Sequence, residues 1–197
     1  MSFPILPLLL PVPSKRRSGL KIGQMRFLVA HDTGNEGSTA RQNVSYYART
    51  AQEDSASAHL FVDDTEILEC IPALTGPPEK AWHVRYDQPQ DNARFGDDAN
   101  DCAIGVELCY GPTINADNAY TRYVWVLAEL CRRFNLKANQ IAGHFQLDPG
   151  RRTDPVNALS KTGRSFEGLI QDVHLVLSPS TTLPVPLPLI VTTSLRL

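Results

Sequence analysis

Residues 25–31, Met-Arg-Phe-Leu-Val-Ala-His, form an apolar run too short for a helix and closed by a histidine. Such a run reads as a buried strand, and the Asp-Thr-Gly-Asn that follows is a polar loop that cannot extend a sheet. Ala103–Cys109 is a second short apolar strand, broken only by Glu107. Helical patterns surround these strands. Thr39-Ala-Arg-Gln42 fits a capping box, and Val44, Tyr47, Ala48 and Ala51 follow at helical spacing. Ser57–Val62 and Glu66–Ile71 flank Asp63-Asp64-Thr65, which predicts a hairpin. Val124, Leu127, Ala128, Cys131 and Phe134 share one face of a helix over Tyr120–Phe134, with Asn135 as its stop. A last helix over Ser165–Leu177 puts Phe166, Leu169, Ile170 and Val173 on one side. Strands alternating irregularly with helices predict a single α/β domain, a central mixed β-sheet flanked by helices.

Proline marks the limits of that domain. The opening MSFPILPLLLPVPSKRR carries its positive charges after the apolar run and has four prolines, the wrong order for a signal peptide and too broken to span a bilayer. Residues 1–19 therefore read as a proline-rich strap lying on the domain, or as a disordered arm. At the other end, Pro179, Pro184, Pro186 and Pro188 exclude a central strand, so 178–197 reads as a tail or linker and 20–177 as the folded unit. A chain of 197 residues suits one domain with a real core, expected as a monomer. A net charge of −2 gives no electrostatic case for nucleic acid, and no segment reads as a membrane span. Four cysteines without a C-x-x-C spacing read as buried thiols of a reducing compartment. With no signal peptide evident, a cytoplasmic location is expected until release to the site of action.

Two histidines stand where an apolar stretch hands over to a loop. His31 ends the first strand, and His144 follows Ile141-Ala-Gly143. Asp154 lies ten residues beyond His144, across a loop restricted by Pro149, Gly150 and Pro155. Two imidazoles and a carboxylate satisfy a divalent zinc and leave a fourth position for water. A turn cap before Pro155 is the other reading of Asp154. Glu107 sits in an apolar strand, where a charge is costly unless paired, hydrated in a cleft or used. It is either a general base for water or a solvent-facing residue of an edge strand.

Taken in order, these stretches resemble a known family. The strand ending in His31, then Ser57-Ala-His59-Leu-Phe-Val-Asp63, Ala81-Trp82-His83, Ile104-Gly-Val-Glu107-Leu108 and Gly143-His144…Arg152-Thr-Asp154-Pro155 are similar to the zinc-dependent N-acetylmuramoyl-L-alanine amidases of the amidase-2 type. That family includes phage endolysins, autolysins, muropeptide-recycling amidases and peptidoglycan-recognition proteins. The resemblance spans about residues 25–160. It implies Zn²⁺ held by His31, His144 and Asp154 in a cleft at the sheet edge, with Glu107 activating water. Many members carry a lysine two residues before the last ligand that steadies the oxyanion; the arginine here, Arg152, is the matching catalytic candidate, keeping the charge but presenting a planar fork. His59 and His83 match histidines that line the cleft in relatives, there to contact substrate directly or to support the fold, and Trp82 is a platform for sugar or peptide or a core aromatic.

The implied activity is hydrolysis of the amide between N-acetylmuramic acid and L-alanine in bacterial peptidoglycan, in a phage endolysin. Three alternatives stay open. They are a non-catalytic peptidoglycan-recognition module, a cytoplasmic recycling amidase, and a Cys–His amidase using Cys109 or Cys102. Asp148 and Arg151 are expected to shape the ligand loop, and His174 is given no function.

Overall fold

The computed structural model describes residues 2–178. Six strands form one sheet: β1 (Ile5–Pro7), β2 (Phe27–Asp32), β3 (Leu60–Val62), β4 (Ile67–Glu69), β5 (Ala103–Leu108) and β6 (Ile141–Gly143). Their spatial order is β1-β4-β3-β5-β2-β6, and every neighbouring pair is parallel except the β3–β4 hairpin. The long helices are α1 (Ala40–Arg49), α4 (Ala116–Phe134) and α7 (Phe166–Leu177). Shorter ones are α2 (Pro89–Phe95), α3 (Ala99–Cys102), α5 (His144–Leu147) and α6 (Val156–Ser160). The mixed sheet with flanking helices is the architecture expected from the strand and helix patterns.

Period-two alternation sorts the central strands into two faces. Leu28 and Ala30 of β2, Leu60 and Val62 of β3, and Ile104, Val106 and Leu108 of β5 share one core with α4 and α7. The alternate residues Phe27, Val29 and Ala103 pack with Ala99 and Cys102 of α3, while Phe61 and Leu68 pack under Val44 of α1. On that second face, His31, Gly105 and Glu107 fall between the two smaller clusters. His31 stands directly opposite Glu107 in the β2–β5 register. The sheet therefore presents its chemistry on the face that α4 does not cover.

The local expectations have clear physical counterparts. Thr39 caps α1 with a capping box to Gln42. Asn135 ends α4 in the left-handed conformation, and Ser165 caps α7 by accepting from the Gly168 N–H. The helix α1 differs in one residue from its expected face, since Ala48 is exposed. The α2 and α3 turns were not foreseen; their stretch is polar, with no apolar period to announce a helix.

The N-terminal segment is part of this sheet. Ile5, Leu6 and Pro7 pair in register with Ile67, Leu68 and Glu69, and the pairing continues as Leu8 and Leu10 N–H groups donate to Glu69 and Cys70 carbonyls. Leu10 is buried in the cluster beneath α1. Proline is tolerated here because an edge strand needs only alternate N–H groups. The expected tail, 178–197, lies outside the described residues apart from Ser178. Among the described residues, no helix is long and apolar enough to cross a membrane.

The hairpin turn also fastens α1 to the sheet. One Asp63 oxygen accepts from the Thr65 N–H, the Thr65 hydroxyl and the Glu66 N–H, each at 2.8 Å, and the other accepts from the Ala40 N–H at 2.9 Å. Asp63→Ala removes all four acceptor contacts from a buried site, and is expected to lower the unfolding free energy by about 3 kcal/mol in urea titrations.

Candidate metal centre and cleft

Because β2, β5 and β6 are parallel, their carboxyl ends open on the same side, and all three principal candidates arise there. His31 is the fifth residue of β2, Glu107 the fifth of β5, and His144 directly follows β6. The cleft thus lies over the carboxyl ends of β5, β2 and the edge strand β6. It encloses about 1020 Å³ and is lined by His31, Glu107, His144, Arg152 and Asp154 with Tyr47, Trp82, His83 and the exposed Tyr86.

The ligand loop brings Asp154 back to the histidines. Asp148 accepts the Nε and Nη2 donors of Arg151 at 2.8 and 2.7 Å, and its carbonyl accepts from the backbone N–H groups of Arg151 and Arg152. The Asp154 carbonyl accepts from the Phe145 N–H in α5, which closes the loop. Asp32, next to His31, accepts from the Ala158 N–H of α6 and holds the far side. As a result, Asp154 Oδ2 stands 2.8 Å from His31 Nδ1 and 3.0 Å from His144 Nδ1. The three residues offer ligand atoms all within 4.8 Å of one another, and all three are buried.

Electrostatics keep these groups in ligating form. Burial lowers the His31 pKa to about 4, against the raising effect of its Asp154 contact, so the imidazole is neutral at pH 7. Burial would raise Asp154, but its contacts with His144 and His31 outweigh this and hold the carboxylate well below its ordinary range. Burial, then the Asp154 and Asp32 charges, push Glu107 well above the usual carboxyl range, while Arg152 pulls it down. Glu107 Oε2 is shut off from solvent without a hydrogen-bond partner, as is His144 Nε2. Two nitrogens and one oxygen converging on one point, beside orphaned buried polar atoms, fit a divalent cation such as zinc.

A second layer supports His31. His83 Nδ1 lies 3.1 Å from His31 Nε2, with the rings nearly perpendicular. Asn100 fixes the His83 segment, accepting from the His83 and Val84 N–H groups and donating to the Val84 carbonyl. Asn100 and Asp32 were missed as supporting groups, and only the polar loop after His31 hinted at Asp32. His59 does not reach the cleft. It is fully buried, donating through Nε2 to the Glu79 carbonyl and accepting the Gly105 N–H at Nδ1. Its expected contact with substrate is corrected to support of β5, since both ring nitrogens are spent on the backbone. Trp82 lines the cleft half-buried, its indole N–H donating to the Lys15 carbonyl. Among the described residues no cysteine lines the cleft, and burial pushes the Cys102 thiol up to about 12 and the Cys109 thiol well above its ordinary range, which leaves the thiolate mechanism without a nucleophile. A second acidic group, Asp97, Asp98 and Asp101, is largely engaged by Lys80, Tyr86 and backbone donors.

Residues 21–157 match the family described as N-acetylmuramoyl-L-alanine amidase. The chain belongs to that family. It is 32% identical over 149 residues to the N-acetylmuramoyl-L-alanine amidase BlyA of Bacillus subtilis, a match covering 70% of this chain and 39% of that relative. It is 33% identical over 101 residues to the 1,6-anhydro-N-acetylmuramyl-L-alanine amidase AmpD of Citrobacter freundii, covering 50% of each. Both of these relatives are thus matched over half their length or less. In fold, a mutant endolysin from Bacillus subtilis superposes with a TM-score of 0.68 at 21% identity, covering 87% of this chain and 99% of that one.

Two predictions follow from the packing around His31 and His59. A Cβ at Gly105 would stand 2.8 Å from His83 Cγ and Nδ1 and 3.2 Å from His31 Nε2. Gly105→Ala is expected to weaken affinity for an added divalent cation at least about tenfold, by competition with a chelating dye, while the circular dichroism spectrum is retained. His59, held at about 4 by burial, is neutral when folded but protonates near 6.5 when unfolded. The unfolded state binds more protons between these values, so stability is full above pH 6.5 and falls toward pH 4. Melting of the chelator-treated protein should follow that slope, and His59→Gln should flatten it.

Proposed function

We propose that this chain hydrolyses the amide bond joining the lactyl group of N-acetylmuramic acid to L-alanine in peptidoglycan, with zinc as its metal. The observation that carries this reading is the approach of His31 and His144 to one oxygen of Asp154, with Glu107 on the adjacent strand. His31, His144 and Asp154 would hold the ion. Zinc so held supplies a Lewis acid that polarises a carbonyl, lowers the pKa of water to about 7, and adds positive charge beside Glu107 in the same sense as Arg152.

The chain's own groups do the rest. Glu107 accepts the proton as water adds to the carbonyl carbon, then gives it to the leaving alanine nitrogen as the C–N bond breaks. Arg152, exposed at the cleft, donates to the developing carbonyl oxyanion. His83 holds the ring of His31, and Trp82 and Tyr86, with ring centres 6.2 Å apart, offer aromatic surface to the glycopeptide. A complete ligand set beside a buried carboxyl favours a hydrolase over a module that only binds.

Cell-wall peptidoglycan, as for an endolysin, is the substrate favoured by the volume of the cleft, about 1020 Å³. The similarity to AmpD supports a second reading, in which soluble anhydro-muropeptides are cleaved. Digestion of purified sacculi and of anhydro-muropeptides, followed by counting new L-alanine amino termini, separates the two. Release should stop with a chelator, return with zinc and survive thiol alkylation. Glu107→Gln should keep zinc and lose about 100- to 10,000-fold in turnover, whereas Asp154→Ala should lose zinc on dialysis. Full turnover in the Glu107 variant would refute the role given to it.

A further inference from the structure

Among the groups outside the metal centre, the most unusual is Arg16. It precedes the family-matched residues 21–157 and is only 1% exposed. Burying a guanidinium is costly unless its donors are met. Here they are met by one stretch of chain. Nε and Nη2 donate to the Thr50 hydroxyl at 3.1 and 2.8 Å, Nη2 also to Asp54 at 3.3 Å, and Nη1 to the Ala56 carbonyl. The guanidinium also stacks over the Tyr47 ring, 4.3 Å from its centre. The preceding residue, Lys15, accepts the Trp82 indole N–H on its carbonyl at 3.0 Å.

Tyr47, Ala56 and Trp82 all line the cleft. They come from α1, the loop after it and the segment before His83, which are distant in sequence. Two consecutive strap residues therefore tie three separate pieces of one cleft wall together. The strap is itself anchored. Ser14 and Arg17 close a turn, and Arg17 forks onto Glu79 at 2.7 and 3.1 Å while donating to the Leu10 carbonyl. None of these contacts reaches the metal ligands.

We infer that Arg16 is a positioning residue which, with the Lys15 carbonyl, sets the Tyr47–Trp82 wall for the muramoyl peptide and so governs substrate binding without entering the chemistry. This rests on the hydrolase reading above for the nature of the ligand. Planar geometry is what the site uses, since one guanidinium serves a hydroxyl, a carbonyl, a carboxylate and an aromatic face at once. A lysine keeps the charge but cannot reproduce that fork.

The test uses the full chain with Trp125→Phe, which leaves Trp82 as the sole tryptophan. Zinc-loaded parent, Arg16→Lys and Thr50→Val proteins are titrated with N-acetylmuramoyl-L-alanyl-D-isoglutamine, reading Trp82 emission, and assayed for its cleavage. Both variants should raise Kd and KM about tenfold, with kcat within about twofold of the parent and Trp82 emission shifted to the red. If Arg16→Lys does not fold, Thr50→Val, which removes an uncharged acceptor, carries the comparison. Folded variants with unchanged Kd and unchanged Trp82 emission overturn the inference, even if they melt earlier, because Arg16 would then be a stabiliser alone. A fall in kcat at constant KM overturns it as well. Failure of the parent to release L-alanine amino termini from sacculi or anhydro-muropeptides sinks the hydrolase reading instead, and Kd for the probe still decides the role of Arg16. If the parent does not bind the probe, the Trp82 emission shift decides.

Discussion

Two imidazoles share one carboxylate oxygen at the carboxyl ends of parallel strands, and much of the molecule serves to hold them there. His31 depends on β2 lying between β5 and β6, His144 on β6 ending where it does, and Asp154 on a loop closed by Asp148 and Arg151. The parallel register is decisive because it sends His31 and Glu107 to the same height on the same face. A slip of one residue would turn either side chain into the core beneath α4. Low dielectric then does the electrostatic tuning: burial keeps His31 neutral, and the histidine contacts keep Asp154 ionised.

Much of this could be read from the chain before any coordinates. His31, His144 and Asp154 were legible because each follows an apolar run or a proline-restricted loop, and Glu107 because it breaks an apolar strand. The structure adds the reason these features coincide: strand ends, short loops and a buried acid are brought to one cleft. What could not be read depends on contacts between distant segments. Asn100 sits in a polar Asp-Asp-Ala-Asn-Asp stretch with nothing to mark it as the clamp on His83. The sequence around His59 invites a cleft role, and only the Glu79 carbonyl and the Gly105 N–H reveal that its ring is fully engaged. Parallel pairing of β1 with β4 is equally invisible, because prolines on an edge strand look the same as prolines in a loose arm.

The layers of the site differ in how firmly they are built. The two histidines come from a regular strand or directly adjoin one, and the loop that carries Asp154 is tied back to α5 through the Phe145 N–H. The aromatic wall is different, assembled from a helix, a loop and the segment ahead of His83. Such a wall has no hydrogen-bonded ladder of its own, so its shape depends on side chains from elsewhere. Arg16 and the carbonyl of Lys15 provide that bracing, while Arg17 and Glu79 link the same strap to the carbonyl that receives His59.

The strap's location outside the family-matched stretch has a consequence for how such a domain can change. The metal centre and the bracing of the aromatic wall are encoded in different parts of the chain, since ligands, acid and wall lie within residues 21–157 while Lys15 and Arg16 precede them. Under the role proposed for Arg16, alteration of these preceding residues would reshape the aromatic wall while leaving the metal centre intact. Conversely, a chimera that transplants only the shared stretch would carry the reactive centre into its new host with one side of the groove unbuttressed.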